Sequence, residues 1–137
     1  MDLYNVMDIA GTALSAQSVR LNTTASNMAN ADSISSSIDQ TYKARHPVFS
    51  AIQSAMNHEY GVGGVQIKGI LESSAPAKAL YQPDHPQADE KGYVYQPNVN
   101  VVEEMANMIS ASRSYQTNVQ VANTAKQLLV RTLQLGQ

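Results

Sequence analysis

Apolar side chains recur at seven-residue intervals at both ends of this chain and lose that rhythm between them. Near the start, Met7, Leu14, Leu21 and Met28 fall seven apart, with Leu3 and Ala10 at the interleaved positions. That stripe predicts one face of a long helix over residues 2–31, a stretch without proline and with Gly11 as its one glycine. At about 1.5 Å per residue such a helix reaches roughly 45 Å, several times the usual three turns. Residues 98–137 repeat the rhythm through Val101, Met108, Tyr115, Ala122 and Leu129. Met105, Ser112, Val119 and Leu133 form the interleaved series, which Lys126 interrupts. Asn100 followed by Glu103 reads as a capping box, in which each side chain accepts an orphan N–H of the first turn. Pro97 stands just outside the helix, and Gly136 marks its far end.

The middle, residues 32–97, holds all five prolines together with Gly61, Gly63, Gly64, Gly69 and Gly92. Ser33–Ser37 reads as a flexible connector. Gly64–Lys68 alternates like a strand, and Tyr93–Tyr95 is a second short candidate. Pro83-Asp84-His85-Pro86 must be loop, because proline removes a donor and restricts the residue before it. The expected fold is therefore mainly α with a small β-rich insert. Its two long terminal helices, within 1–31 and 98–137, pack as a coiled-coil-like pair around the segment 32–97. The expected seam is Met7, Leu14, Leu21 and Met28 against Val101, Met105, Met108, Tyr115, Val119, Leu129 and Leu133.

Charge is scarce where those helices lie. Residues 1–31 carry Asp2, Asp8 and Arg20, and residues 98–137 carry Glu103, Glu104, Arg113, Lys126 and Arg131. Their outer faces hold Ser15, Gln17, Ser18, Asn22, Thr23, Thr24, Ser26 and Asn27 instead. Amides and hydroxyls cost less to desolvate than charges, and interface cores are depleted of charge for that reason. A second apolar stripe, Val121, Leu128 and Leu135, lies away from the seam of the C-terminal helix; Ile9, Ala16 and Val19 do the same at the other end. One hairpin partner cannot cover two opposed stripes. Ile9, Val19, Val121, Leu128 and Leu135 are thus candidates for contact with other subunits, although single exposed Leu and Val residues are common.

Candidate chemistry is thin. The histidines His46, His58 and His85 show no metal-ligand spacing, and the pairs His58-Glu59 and Asp84-His85 are adjacent, so their side chains diverge. No nucleophile elbow accompanies Ser35–Ser37, and Gly61-Val62-Gly63-Gly64 lacks the helix and lysine of a phosphate loop. Glu103-Glu104 in a first helical turn suit the positive end of the helix dipole without catalysis. A net charge of −2 gives no electrostatic case for nucleic acid. No cysteine is present, which excludes disulfides and thiolate zinc sites. No apolar run approaches 18 residues and Met1–Asn5 has neither basic nor apolar leader character, so neither membrane insertion nor a cleaved signal is expected. The expectation is a protein that is not an enzyme.

Asn27-Met28-Ala29-Asn30-Ala31-Asp32 resembles the N-terminal signature of the flagellar rod and hook axial proteins. The run Asn98 to Gln116 resembles their C-terminal signature, and Asn123–Lys126 through Leu133–Gly136 fits the same ending. Pro83–Pro86 with Gly92-Tyr93-Val94 resembles a segment of the shorter, proximal-rod type of subunit, and Ser33-Ile34-Ser35-Ser36 stands where longer relatives have Thr-Pro-Gly-Tyr. Asp84 replaces an expected glycine in that loop. The resemblance implies a structural subunit of the basal-body rod in the periplasm, exported unfolded without leader cleavage. Its terminal helices would surround the export channel, and the assembled rod would carry torque. It implies contacts with the rod proteins FlgB, FlgF and FlgG, with FliE and with further copies of itself, and it brings no cofactor. The alternative from a different class is a secreted, self-contained adaptor that binds through its β insert.

Overall fold

The computed structural model describes residues 3–52 and 63–135. His58-Glu59, Gly61-Val62 and Gly136 lie outside the described residues. Helix α1 runs Leu3–Ala29 and helix α2 runs Val101–Leu135. Between them come a 3-10 turn at Ile38–Gln40 and strands β1 (Arg45–Ile52), β2 (Gly64–Glu72), β3 (Lys78–Tyr81) and β4 (Tyr93–Gln96). The two helices and the small β insert that the pattern predicts are both present. Two of the strands, β1 and β3, carry no clear alternation, and only their pairing reveals them.

The helices lie antiparallel. Arg20 of α1 hydrogen-bonds Asn107 near the start of α2, whereas Leu3 and Val6 line a groove with Val121 and Leu128 near its end. α1 has 27 residues and α2 has 35, so α2 is longer by about 12 Å. Asn100 caps α2: its Oδ1 accepts the N–H of Val102 at 3.2 Å, and its carbonyl accepts the first helical bond from Glu104 at 2.9 Å. The reciprocal bond expected from Glu103 is not formed. Val102 supplies the donor that makes Asn100 sufficient as a cap.

β1 and β2 form an antiparallel hairpin, with Lys68 as the extra residue of a bulge between Val48↔Gly69 and Phe49↔Ile67. This hairpin lies along α1, where Thr12 Oγ1 accepts the N–H of Val65 at 3.2 Å. β3 and β4 form a second antiparallel pair. Ser35 adds a bridge to it, exchanging two 3.0 Å backbone bonds with Tyr95. The serine connector is therefore tethered, contrary to its composition, because its backbone finds a strand edge to pair with.

Two asparagines fasten the insert to the helix pair. Asn27 is fully buried; its Nδ2 donates to the carbonyl of Arg45 at 2.8 Å while its Oδ1 accepts the N–H of Arg45 and the hydroxyl of Tyr42, both at 2.9 Å. One side-chain amide thus pairs with the first residue of β1 as another strand would. Asn98 does the same work on the other side: Oδ1 accepts Ala44 N–H at 2.8 Å and Nδ2 donates to Ala75 O at 2.7 Å. Ala31, Ala44 and Val99 pack together beneath these bonds, with Tyr42 against them.

The loop from β3 to β4 turns on Gly92, the one residue with a positive φ among those described (φ +80°). A Cβ there would come within 2.9 Å of the Tyr81 ring, so the position admits glycine alone without a shift. Asp89 organises the same loop by accepting the N–H groups of Tyr93 and Lys91 and the hydroxyl of Tyr95. The Tyr93 N–H bond is the main cause that holds the Asp89 carboxyl below its ordinary value, and Lys91 adds to it. A depressed carboxyl stabilises the fold above its unfolded pKa and stops doing so as pH falls through the folded one. Wild type is therefore expected to be more resistant to urea than Asp89→Asn at neutral pH. That margin should shrink once the pH drops below about 4. A margin that stays constant from neutral pH to pH 3 would contradict this assignment.

Candidate assembly interface

The face that α1 and α2 share is lined by small and polar side chains. The buried residues of α1 are Ala10, Ala16, Thr23, Thr24 and Asn27, of which Ala16 and Asn27 are on the side of the β1–β2 hairpin; those of α2 are Glu104, Ala111 and Ala125. The α2 set falls at seven-residue intervals through Glu104, Ala111, Asn118 and Ala125, with Asn118 half-buried. Met108, Ala122 and Leu129, half-buried, fill the interleaved positions, and Tyr115 is more open. Small residues in the seam let the helix axes come close and push the larger apolar side chains to the flanks.

Against the expected seam, Met7, Leu14, Leu21 and Met28 are half-buried, as are Met108, Val119 and Leu129. Met105 is 49% exposed and Leu133 66% exposed, and Val101 and Tyr115 are also open to solvent. Met105 stands one residue past the buried Glu104, and Leu133 lies beyond Ala125, the last buried residue of α2. Seven-residue spacing is shared by every face of a helix, so it does not by itself fix which face is most deeply buried.

The candidates for contact with other subunits divide. Ile9 and Val19 are half-buried on the side of α1 that carries Thr12 and Ala16, where the β1–β2 hairpin lies. Val121, Leu128 and Leu135 are exposed, Leu135 at 89%. The open groove at that end of the pair, about 500 Å³, is lined by Leu3, Val6, Val121, Ala125 and Leu128 with three polar neighbours. On α2, Val102, Met105 and Ile109 form a further exposed apolar group near the N-terminus. So many large apolar side chains exposed along one helix make this surface a candidate for protein contact.

Little else offers chemistry. His46 and His85 are on separate strands and loops, and no group of three metal-ligating side chains converges among the described residues. No described helix is long and apolar enough to cross a membrane. Glu103 is exposed while Glu104, its neighbour, is buried, so the two do not act as a carboxylate pair.

Comparison with known proteins follows this division. The family described as "Flagella basal body rod protein" matches residues 7–33, and "Flagellar basal body rod FlgEFG protein C-terminal" matches residues 90–135. These are α1 with its exit, and β4 with α2. The chain is 54% identical to "Flagellar basal-body rod protein FlgC" of Yersinia enterocolitica, with the whole of both chains covered. It is 53% identical to the FlgC of Escherichia coli O157:H7 and 51% identical to that of Salmonella typhimurium, again over the full length of each. The chain belongs to the FlgC family.

Within this FlgC-family chain the N-terminal signature has a physical meaning. Asn27 clamps β1, Asn30 donates back to the carbonyl of Ser26 at 2.8 Å, and Ala31 enters the small core. The C-terminal signature opens with the same kind of work: Asn98 clamps, Val99 fills the core and Asn100 caps. Sequence reasoning treated Asn27 as part of a polar outer face. Its place in a run of Asn, Ala and Asp at a helix exit was the signal that it bonds backbone.

Proposed function

We infer that this chain works through its helix pair. It is a structural subunit of the flagellar basal-body rod, as its full-length FlgC relatives are. The carrying observation is the row of exposed apolar residues along α2 beside a seam already filled by small ones. Contacts made through different patches of one subunit are heterologous, and those that do not close a ring propagate as a helix. In the rod, α1 and α2 lie among the corresponding helices of neighbouring subunits and surround the export channel, with the insert outside. The neighbours are the rod proteins FlgB, FlgF and FlgG, the protein FliE, and further copies of this chain. Stiffness, and hence transmission of torque, comes from many side-chain contacts along long helices, each contributing about 25 cal/mol per Å² of apolar surface buried. The chain carries out no catalysis. A self-contained adaptor that binds through its insert is not favoured by relatives that are rod proteins from end to end.

Complementation tests this reading. The chain, supplied to cells that lack their own copy, is expected in purified basal bodies and to restore swimming. Leu21→Asp should lower its recovery there by about tenfold or more, because an aspartate enclosed by apolar neighbours has no partner. Swimming at the wild-type rate with Leu21→Asp, or a wild-type chain missing from basal bodies, would count decisively against it.

A further inference from the structure

The seam between the helices contains an unmatched donor and unmatched acceptors within a single turn of each other. Arg20 donates through Nη2 to Asn107 Oδ1 at 3.0 Å. A guanidinium has five N–H donors, and among the described residues this is the one hydrogen bond it makes. Glu104, one turn before Asn107 on the same face of α2, is 3% exposed, and its Oε2 has no partner. Gln17, one turn before Arg20 on α1, has a buried Oε1 that is likewise without one. A buried carboxylate without a cation is costly. Of the other basic side chains, His46 lines the same cavity as Arg20 and Asn107, Arg45 is engaged with Glu72 at 3.0 Å, and Arg113 on α2 is exposed nine residues further on.

We propose that Arg20 and Glu104 close into an ion pair across the α1–α2 seam when the helix pair is enclosed by other rod subunits. The proposal rests on the rod reading above. In the isolated chain Arg20 is half-buried, and water supplies what Asn107 does not. Enclosure removes that water and leaves the cation beside an anion that lies three residues, about 4.5 Å, along α2 from its present partner. Attraction between charges rises as the surroundings become less polar, while the neutral amide of Asn107 loses little by release. An open cavity of about 340 Å³ lined by Arg20, Thr24 and Asn107 leaves a long, flexible arginine room to move by one turn. The pair then acts as a positioning device: it fixes the axial register of α1 against α2 only in the assembled state.

Opposite signs in the two states are the signature. Glu104→Gln keeps the shape and removes the unpaired charge, so it is expected to raise the urea midpoint of the isolated chain. In cells the same variant should reduce recovery in purified basal bodies by about tenfold, the effect of losing roughly 1.4 kcal/mol. Arg20→Gln should reduce recovery similarly, Arg20→Lys less, and the Arg20→Gln/Glu104→Gln double variant no more than either single. Losses that multiply in the double variant, unchanged recovery, or a lowered midpoint together with lowered recovery would each overturn the pair. Absence of the wild-type chain from the basal bodies overturns the rod reading itself, and the pair with it; its presence with multiplying losses overturns the pair alone.

Discussion

Replacing Asn27 by alanine is expected to lower the stability of the isolated chain by about 3–5 kcal/mol, near the upper end of single-residue effects. The side chain is fully buried and makes three hydrogen bonds of 2.8–2.9 Å. Its loss leaves the N–H and C=O of Arg45 without their partner, while the hydroxyl of Tyr42 keeps only Ser26 Oγ at 3.3 Å. Each stranded group costs about 1–3 kcal/mol, partly relieved where water enters the gap. Tyr42 also lies beneath the Arg45 guanidinium, 5.6 Å from its centre, and Arg45 holds Glu72. The disturbance should therefore spread to the start of the hairpin. Equilibrium urea unfolding measures the loss, and amide exchange should rise first at Arg45 and Ala44. A change under 1 kcal/mol would mean that the amide is not what holds β1 to α1. Asn27→Asp keeps the acceptor and loses the donor to Arg45, so the same experiment separates the two halves of the clamp.

At the other end of the molecule the expected effect is large in the cell and small in the test tube. Leu128→Asp changes a side chain that is 47% exposed and beyond the buried stretch of the seam. The urea midpoint of the isolated chain should move by no more than about 0.5 kcal/mol, as for other surface substitutions. Recovery in basal bodies should fall about 100-fold, the consequence of roughly 3 kcal/mol for an aspartate enclosed without a partner. The groove it lines with Leu3, Val6 and Val121 is apolar and open, and a neighbouring subunit filling it would meet that charge directly. Normal recovery of Leu128→Asp would remove this end of α2 from the assembly surface. Equal losses in both measurements would make Leu128 a folding residue instead.

These two sites mark a division of labour along the chain. The asparagine junction keeps the insert attached to the helices and needs no partner to do so. The far end of α2 has no comparable fastening: from Lys126 to Leu135 only Leu129 is even half-buried. Conversion of an exposed apolar surface into a buried one is where assembly free energy is available.

The seven-residue rhythm alone determined that both ends are long helices, because apolar periodicity and the absence of proline act locally and need no knowledge of the rest. Scarcity of charge along those helices is equally a local property, read without reference to the fold. The packing face was a different matter. Ala10, Ala111 and Ala125 are too small to stand out in a sequence, yet they are buried, while the bulky Met7, Leu14 and Leu21 are half-buried. Strands β1 and β3 were hidden for a related reason: their pairing partners are remote, and Pro47 is tolerated in β1 because each strand of a two-stranded sheet is an edge. Only the folded chain decided that Asn27 would bond the backbone of Arg45 and that Glu104 would be buried unpaired, since hydrogen bonds between segments 18 or 87 residues apart leave no periodic trace.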